Sequence, residues 1–328
     1  MSCTAFAAIS GSTPATAAAI GSLTIPEMKK RNYPLDYSSA VVASSACLGV
    51  IIPPSITMVI FASTANVSIG KVLIGGIVPG LILSLMLIIT NYFFSRKAGY
   101  PVEPRSNMSQ KLQALRVSIW ALLMPVIILG GIMTGIFTPT ESAAVAILYG
   151  ILVGFFVYQE LKVKDLIPLF YSAALNTAMI MLLIGTAGPF GWIMTATDVP
   201  GIVTKALLGI STNFYVIYAL VLIIFLILGT FMETAAIIML TVPTLAPVMN
   251  LIGADMVHFV VVGVIALAIG MATPPVGISL FATCSISKIT MKDISIKVWP
   301  FLAVMVLGLF IFMLFPKIVT FLPDLMMN

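Results

Sequence analysis

Residues 49–54 of the chain read Gly-Val-Ile-Ile-Pro-Pro, and residues 270–275 read Gly-Met-Ala-Thr-Pro-Pro. The match continues without a gap, at an offset of 221 residues, as far as Pro79 and Pro300. Each copy lies inside a hydrophobic run that is long enough to cross a membrane. Paired membrane segments that Gly and Pro interrupt, one in each half of a chain, indicate the binding site of a transporter. A membrane carrier is therefore the leading hypothesis.

Composition places the chain among membrane proteins. Of the 328 residues, 60% are hydrophobic and 8% are charged, a balance that no soluble domain of this length shows. Most apolar runs reach the roughly 20 residues that a spanning helix needs, which predicts an all-α polytopic membrane protein. The runs cover residues 40–64, 71–94, 117–136, 141–158, 166–195, 213–249, 255–285 and 298–316.

Two segments do not fit a series of simple spans. The run 213–249 is too long for one spanning helix and too short for two, so it predicts a re-entrant helical hairpin. The longest polar stretch, 95–116, predicts a cytoplasmic loop.

The basic residues are divided unequally between the two sides of the membrane. If 213–249 enters and leaves on the same face, 13 of the 16 Lys and Arg fall on one side, which the positive-inside rule makes cytoplasmic. Run 40–64 then leads outward and run 255–285 leads inward, so the copies form an inverted repeat. The basic charge is spread over membrane loops, which argues against nucleic acid as a partner.

A second pair of motifs precedes the first. Residues 11–18 (Gly-Ser-Thr-Pro-Ala-Thr-Ala-Ala) match residues 229–236 (Gly-Thr-Phe-Met-Glu-Thr-Ala-Ala), and each opens a helical segment that ends near a proline, Pro26 or Pro243. Gly beside Ser or Thr at membrane depth predicts a helix break whose freed main-chain groups line a cavity. A helix that begins there directs its positive N-terminus into the cavity, where it could hold an anion.

Main-chain carbonyls and hydroxyls at these breaks are hard oxygen ligands of the kind that suits Na⁺. A simpler interpretation is that Gly, Ser and Pro mark only kinks or close helix packing. Two copies of two motifs in the same order favour the carrier. The candidate hydroxyls are those of Ser12, Thr13 and Thr16 in the first copy and of Thr230, Thr234 and Thr273 in the second.

Two carboxylates lie within these motifs or near other helix starts. Glu233 is the acidic residue placed deepest in the membrane, where a charge is expected to be functional. We favour a role in balancing a bound cation, with a substrate hydrogen bond or a helix N-cap as alternatives. Glu141 follows Thr138 and Pro139, a helix-start pattern, so we expect it to be structural. His258, the only histidine, has no Cys or carboxylate cluster nearby, which argues against a metal site.

Four stretches, in this order along most of the chain, carry a family resemblance: SGSTPATAAAIG (10–21), LGVIIPPS (48–55), GIFTPTESAAVA (135–146) and GMATPPVG (270–277). With them the sequence resembles the large membrane subunit of tripartite ATP-independent periplasmic (TRAP) transporters, which import C4-dicarboxylates, sialic acids and other organic acids.

The resemblance implies an inverted-repeat, elevator-type carrier, in which a transport domain with two re-entrant helical hairpins moves against a scaffold, driven by the Na⁺ gradient. Sodium is then the coupling ion, and no cofactor is expected. The implied partners are an organic-acid substrate, a small four-helix membrane subunit, a periplasmic substrate-binding protein and the lipid bilayer. The implied location is the bacterial inner membrane, which the chain would cross several times.

Carried over residue by residue, the resemblance implies two sodium sites and a substrate site between the hairpin tips. The first sodium site comprises Ser10, Ser12, Gly49, Ile51 and Pro54, and the second comprises Thr230, Thr234, Gly270, Ala272 and Pro275. The substrate site comprises Thr13, Pro14, Glu233 and Thr273.

Symmetry between the copies predicts the domain organisation. Residues 1–95 form the first half of a transport domain, 96–116 the cytoplasmic loop, 117–165 scaffold-like helices, and 166–328 the second half. The helices that precede the second hairpin tip have no counterparts before the first, so roughly 100 further residues are expected to precede Met1.

Two other classes of protein remain as alternatives. A stand-alone sodium–dicarboxylate symporter also uses paired hairpins, and uptake without a binding protein would identify it. An intramembrane enzyme would need a Ser–His pair, paired aspartates or an HExxH motif within the spans, and the sequence contains none.

Overall fold

The computed structural model describes residues 1–101 and 107–327, and within them it contains α-helices and no β-strand, which confirms the all-α polytopic class. Seven of these helices are long and apolar enough to cross a membrane, or eight if a bent pair counts as one span. The helices are α1 Ser2–Ser10, α2 Thr13–Lys30, α3 Leu35–Ala46, α4 Leu48–Ile51, α5 Ile56–Thr64, α6 Ile69–Lys97, α7 Met108–Met133, α8 Pro139–Leu152 (continued by a π-helical turn, Val153–Val157), α9 Val163–Ala196, α10 Val199–Ile210, α11 Phe214–Phe231, α12 Thr234–Leu251, α13 Met256–Gly270, α14 Ile278–Ser287, α15 Met291–Leu314 and α16 Lys317–Met326.

Each Gly-x-x-x-Pro-Pro motif interrupts a helix, as the sequence predicts. In the first copy the helix ends at Ile51 and resumes at Ile56 after a bend of 46°. In the second copy it ends at Gly270 and resumes at Ile278. Proline has no N–H and disfavours the helical conformation of the residue before it, so a Pro-Pro pair ends the helical hydrogen-bond ladder.

The two copies share one register over a longer range than their sequences show. Helices α2 and α12 both contain 18 residues, and α2, α12 and the starts of α3 and α13 are all related by the same offset of 221. Left-handed backbone recurs at this offset too, with φ of 61° at Asn32 and 79° at Gly253. The repeat therefore begins at the hairpin tips and continues through both broken helices.

This register corrects the sequence-based pairing of the hairpin motifs. Ser12 and Glu233 are the N-caps of α2 and α12, so these two residues correspond to each other. The proline that corresponds to Pro26 is Pro247, which also lies inside its helix, and not Pro243. The pairing of residues 11–18 with 229–236 is displaced by three residues from this register. It aligns similar residue types, whereas the ends of the helices define the repeat.

The run 213–249 forms the helices α11 and α12. They pack against each other, contain 18 residues each and are separated by Met232 and Glu233. At 1.5 Å per residue each helix is about 27 Å long, close to the thickness of the bilayer core. The argument that this run is too short for two spans is therefore wrong, because the break needs only two residues. A hairpin that enters and leaves on one face stays a prediction.

The polar stretch 95–116, predicted as a loop, is helical at both ends. Helix α6 extends into its start and α7 covers its end. The side-chain oxygen of Gln110 accepts the N–H of Asn107 at 3.0 Å, a capping contact that begins α7 inside the polar sequence. Residues 102–106 of the predicted loop lie outside the described part of the chain.

Packing divides the chain into two compact units. One contains Met1–Pro101 together with the residues from Gly191 onward, and the other contains the described residues between them. This division falls later than the predicted boundary at 166, because the second unit also takes in most of α9, whose apolar window is not buried. In the second unit α7 and α8 pack together, and the Tyr149 hydroxyl donates to the Trp120 carbonyl at 2.7 Å. The roles of transport domain and scaffold stay predictions.

In the first unit the two copies interlock. We call α1 and α2 hairpin 1, and α11 and α12 hairpin 2. The second arm of each hairpin packs on the second arm of the other copy's broken helix, α2 on α14 and α12 on α5. Between the copies, Phe61 makes edge-to-face contacts with Phe225 and Phe259 at centroid distances of 5.7 and 5.5 Å. All three rings are fully buried, and such rings contribute much of the energy of a core.

Close backbone contact between α11 and α13 predicts a sensitive glycine. A methyl group on Gly270 would lie 2.7 Å from the Gly229 Cα and from the Leu226 carbonyl oxygen. We expect Gly270→Ala to lower the free energy of unfolding by about 1–3 kcal/mol, because backbone atoms must move apart.

The measurement is thermal or denaturant unfolding of the purified protein in detergent. Gly185→Ala is the matched control, since no atom lies within 4 Å of the added methyl group. Equal stability of the two variants would contradict the close contact.

Candidate functional site

The tip of hairpin 1 is fixed to the first helix break by main-chain contacts. α1 ends at Ser10, Gly11 is left-handed with φ 61°, and α2 begins at Thr13. The Gly11 carbonyl oxygen accepts the N–H of Ile56 at 3.3 Å. A methyl group on Gly11 would lie 2.8 Å from the Pro54 carbonyl oxygen. Only glycine combines this φ with so close an approach.

A compact group of oxygen atoms lies at this tip. The Ser12 carbonyl oxygen accepts the N–H of Thr16 at 3.0 Å and its hydroxyl at 2.9 Å. The Ser10 hydroxyl oxygen lies 3.3 Å from that carbonyl oxygen and 2.5 Å from the Thr16 hydroxyl oxygen. Gly49 of α4 closes the group, since a methyl group there would lie 2.6 Å from both Ser12 O and Thr16 Oγ1. We call Ser10, Ser12, Thr16 and Gly49 the oxygen cluster.

The oxygen cluster contains three of the five residues predicted for the first sodium site. Pro54 lies next to it, through its approach to the hairpin tip. The Ile51 carbonyl oxygen lies beside Gly76 of α6, where an added methyl group would be 2.7 Å from it, and the described contacts do not bring it to the cluster. Thr16 is absent from the sodium site that the resemblance implies, but its hydroxyl is one of the candidate ligands that the sequence itself indicated. Its position one helical turn after the N-cap brings that hydroxyl to the Ser12 carbonyl.

Hairpin 2 meets the second helix break in a different way. The Thr230 carbonyl oxygen accepts the N–H of Gly277 at 3.1 Å, while the Thr230 hydroxyl donates to Ile227 O at 2.7 Å within α11. Gly270 packs on the last turns of α11, and Ala272 is fully buried in the break. These three residues of the predicted second sodium site therefore surround one break. Its remaining proline, Pro275, is exposed.

Thr234, also predicted for the second sodium site, faces the first copy. Its hydroxyl donates to Glu233 Oε1 at 3.0 Å and lies 3.4 Å from the Thr57 hydroxyl oxygen of α5. Both threonines are buried. Thr57 was absent from every predicted site, although it lies three residues after the first Pro-Pro pair.

The oxygen cluster has no side-chain counterpart in hairpin 2. At the offset of 221, the residues that correspond to Ser10 and Thr16 are Phe231 and Ile237. Neither side chain carries an oxygen atom. The two predicted sodium sites therefore differ in the ligands that their residues could offer.

The N-termini of α2 and α12 differ in charge. Glu233 caps α12: its Oε2 accepts the N–H of Ala235 at 2.7 Å and of Ala236 at 3.4 Å. Ser12 makes no side-chain capping bond to α2. A carboxylate thus already occupies the positive end of α12, whereas that of α2 is open to another anion. The contacts of Glu233 are therefore those of a helix N-cap, which was one of the alternatives for this residue.

The four residues predicted for the substrate site are not joined to one another by hydrogen bonds. The Thr13 side chain is fully buried, and its hydroxyl has no hydrogen-bond partner. Pro14, half-buried, follows it at the start of α2. The Thr273 hydroxyl, in the second break, donates to Ile269 O near the end of α13 at 2.7 Å. Of these four residues, Thr13 at the open end of α2 therefore has a buried hydroxyl whose hydrogen-bonding capacity is unused.

Glu141 has the structural role that the sequence predicts. Its Oε2 accepts the Thr138 N–H at 2.8 Å, and its own N–H donates to Thr138 Oγ1 at 3.3 Å, which is a capping box. Within residues 1–101 and 107–327, no three His, Cys, Asp or Glu side chains are placed to hold a metal ion together.

Comparison with known proteins gives a match over almost the whole chain. Residues 1–318 match the family described as "Tripartite ATP-independent periplasmic transporter, DctM component". The chain is 43% identical over 97% of its length to the isethionate TRAP transporter permease protein DctMQ of Oleidesulfovibrio alaskensis, and it spans half of that relative.

Two relatives from Vibrio cholerae are also similar. The C4-dicarboxylate TRAP transporter large permease protein DctM is 36% identical over 100% of this chain and 77% of its own length. The sialic acid TRAP transporter large permease protein SiaM is 35% identical over 98% of this chain and 76% of its own length.

The N-cap contacts of Glu233 predict how its substitution changes stability. We expect Glu233→Ala to lower the free energy of unfolding by about 1 kcal/mol, because two main-chain N–H groups lose their acceptor. Glu233→Gln retains a side-chain oxygen and should unfold within a few tenths of a kcal/mol of the parent protein.

Thermal unfolding of both variants, purified in the same detergent, is the measurement. An alanine variant as stable as the parent protein would show that the carboxylate does not cap α12.

Proposed function

The chain belongs to the DctM family of tripartite ATP-independent periplasmic transporters, and from that premise we propose that it is the large permease subunit of a sodium-coupled importer of small organic acids. Members of this family are transport proteins of the bacterial inner membrane and not enzymes. The oxygen cluster at the tip of hairpin 1 is the observation that carries the sodium proposal.

The oxygen cluster offers the ligands that sodium prefers. Its members present one main-chain carbonyl and two hydroxyl oxygens within 3.3 Å of one another, and hard oxygen atoms are the natural ligands of such a cation. The glycine in α4 keeps this space free of side chain. Sodium drives uptake if its affinity for the conformation that binds substrate is higher than its affinity for the conformation that does not. Each charge that moves with the membrane potential then contributes about 2.3 kcal/mol per 100 mV.

The substrate proposal rests on the open N-terminus of α2. Its positive end suits a carboxylate or sulfonate group, and the buried Thr13 hydroxyl beside it has no partner. The end of α12 is less suitable, because the Glu233 carboxylate occupies it. The names of the three relatives described above refer to isethionate, C4-dicarboxylates and sialic acid, which are organic anions. We assign this chain a substrate of the same class.

The proposed mechanism is an elevator movement of the interlocked copies. α2 packs on α14 and α12 packs on α5, so the hairpins and broken helices can move as one body that carries the bound ion and substrate. The proposed partners are a small membrane subunit and a periplasmic substrate-binding protein. The relative named DctMQ supports the first, since this chain matches half of its length and a second subunit would fit in the remainder.

A stand-alone sodium–dicarboxylate symporter is the competing function. It would take up substrate without a binding protein. Uptake assays with and without that protein distinguish the two, and family membership favours dependence on it.

Thr16 gives the sharpest test of sodium coupling. We expect Thr16→Val to raise the Na⁺ concentration for half-maximal uptake about tenfold, because one oxygen ligand worth roughly 1.4 kcal/mol is replaced by a methyl group. Initial uptake is measured in liposomes that contain the full-length permease, its small subunit and its binding protein, with labelled isethionate, succinate and N-acetylneuraminate as probes.

Thr24→Val is the matched control. Thr24 also lies in α2 and donates its hydroxyl to the carbonyl four residues earlier, as Thr16 does. It lies two helical turns beyond Thr16, and none of its atoms is among the three nearest to a methyl group on Gly49. An unchanged sodium requirement in Thr16→Val, or an equal change in both variants, would remove the oxygen cluster from the sodium site.

A further inference from the structure

Two ring side chains make the same contact in the two copies. Tyr37 and His258 are the third residues of α3 and α13 and are separated by the repeat offset of 221. The Tyr37 hydroxyl oxygen lies 3.3 Å from the carbonyl oxygen of Asn91 in α6. His258 Nε2 lies 2.9 Å from the carbonyl oxygen of Phe312 in α15. Asn91 and Phe312 are themselves separated by 221 residues.

The sequence that follows Phe312 explains why its carbonyl oxygen needs the contact with His258. In a helix the Phe312 carbonyl would accept the N–H four residues later, but that residue is Pro316, which has no N–H. Phe312 is fully buried, so no water can replace the missing donor. The His258 Nε2–H supplies it from the neighbouring helix.

The tautomer of His258 then extends the contact to a third helix. Since Nε2 carries the proton that the carbonyl accepts, Nδ1 of the neutral ring is a bare acceptor. The Tyr218 hydroxyl of α11, 3.0 Å away and fully buried, donates to it. The carboxylate of Asp255 contacts the main chain of His258, whose N–H it accepts at 2.9 Å. Hydrogen bonds thus join α11, α13 and α15.

The first copy satisfies the same geometry with different groups. The shortest contact of the Tyr37 hydroxyl is with the Asn91 side chain, at 2.8 Å to Oδ1, and Ser95 Oγ lies 3.1 Å away. The main-chain N–H of Tyr37 donates to Asp36 at 2.7 Å, but Asp36 does not correspond to Asp255, whose counterpart at the offset of 221 is Pro34. Tyrosine and histidine share little beyond a ring with a polar donor. Even so, each contacts the residue 54 positions later in its own copy, and packing alone does not account for this.

We infer that Tyr37 and His258 are symmetry-related positioning residues, which fasten each broken helix to the long helix that follows it so that the two move together. We call them the latch pair. A polar ring in apolar surroundings is unfavourable unless it is hydrogen-bonded. Tyr37 makes its contact with α6 and His258 makes its contact with α15, which are the long helices that follow the two broken helices. The residues of the latch pair lie near the starts of α3 and α13, before the helix breaks that follow Ile51 and Gly270, and neither belongs to the oxygen cluster.

Amide hydrogen exchange tests the latch pair without reference to transport. In lipid nanodiscs, we expect His258→Phe to accelerate exchange about tenfold in α13 and, by the same factor, at the end of α15, because the two helices separate together. Helices α3 and α6 should keep their rates. Tyr37→Phe should show the reverse pattern, with acceleration in α3 and α6 only.

Conservative variants separate positioning from local packing. His258→Gln keeps one donor and one acceptor, so it should restore at least half of the lost protection in α15. Acceleration confined to α13 in His258→Phe, or a glutamine variant as unprotected as the phenylalanine variant, would overturn the latch. If His258→Phe does not fold, Tyr218→Phe removes a single hydroxyl from the same network and should accelerate exchange in α11 and α13.

The link to uptake rests on the proposed carrier function. In the liposome assay we expect His258→Phe to reduce maximal uptake per folded molecule about tenfold while the half-saturating Na⁺ concentration stays within twofold of the parent protein. Parent protein that takes up no probe would refute the carrier function and leave the exchange result standing. Parent uptake with full activity in His258→Phe would refute only the role of the latch in transport.

Discussion

Main-chain polar groups freed at the two helix breaks must find partners inside the protein, because the hydrocarbon core of a membrane provides none. The structure meets this constraint with nearby side-chain and main-chain groups and with the hairpins. At the first break the Ser55 hydroxyl donates to the Val50 carbonyl at 2.6 Å, and at the second the Met271 carbonyl accepts the Ser279 N–H at 2.9 Å. The hairpin tips add main-chain contacts at both breaks, so breaks and tips cannot be separated without leaving buried groups unpaired.

The same constraint explains why the two copies interlock but do not offer identical chemistry. Helix ends and Pro-Pro pairs recur at one offset, because they are fixed by backbone geometry that both copies need. The side chains at the tips are free to differ, and they do. Hairpin 1 has hydroxyls and an open helix end, whereas hairpin 2 has Glu233 bound to its own helix. A symmetric frame thus presents an asymmetric site, which gives the ion and the anion different positions to occupy.

Much of this architecture could be predicted from the sequence. The helix breaks follow from Pro-Pro pairs, and the structural role of Glu141 follows from its capping box, because both depend on residues close in the chain. The register of the hairpins was predicted wrongly. Gly11-Ser12 resembles Gly229-Thr230, which gives an offset of 218, whereas the helix ends of the two hairpins are related by an offset of 221. Thr57 was missed at the site for a related reason: its neighbour Thr234 is determined by packing between helices. The partnership of His258 with Phe312 also joins residues far apart in sequence.

A density map of the complete complex, recorded once in sodium and once in a large organic cation, tests the central claim most directly. In sodium we predict a compact peak bounded by Ser10, the Ser12 carbonyl, Thr16 and Gly49, and no such peak without it. A well-ordered hairpin 1 with no ion density in sodium, or with the ion bound elsewhere and away from both breaks, would contradict the account.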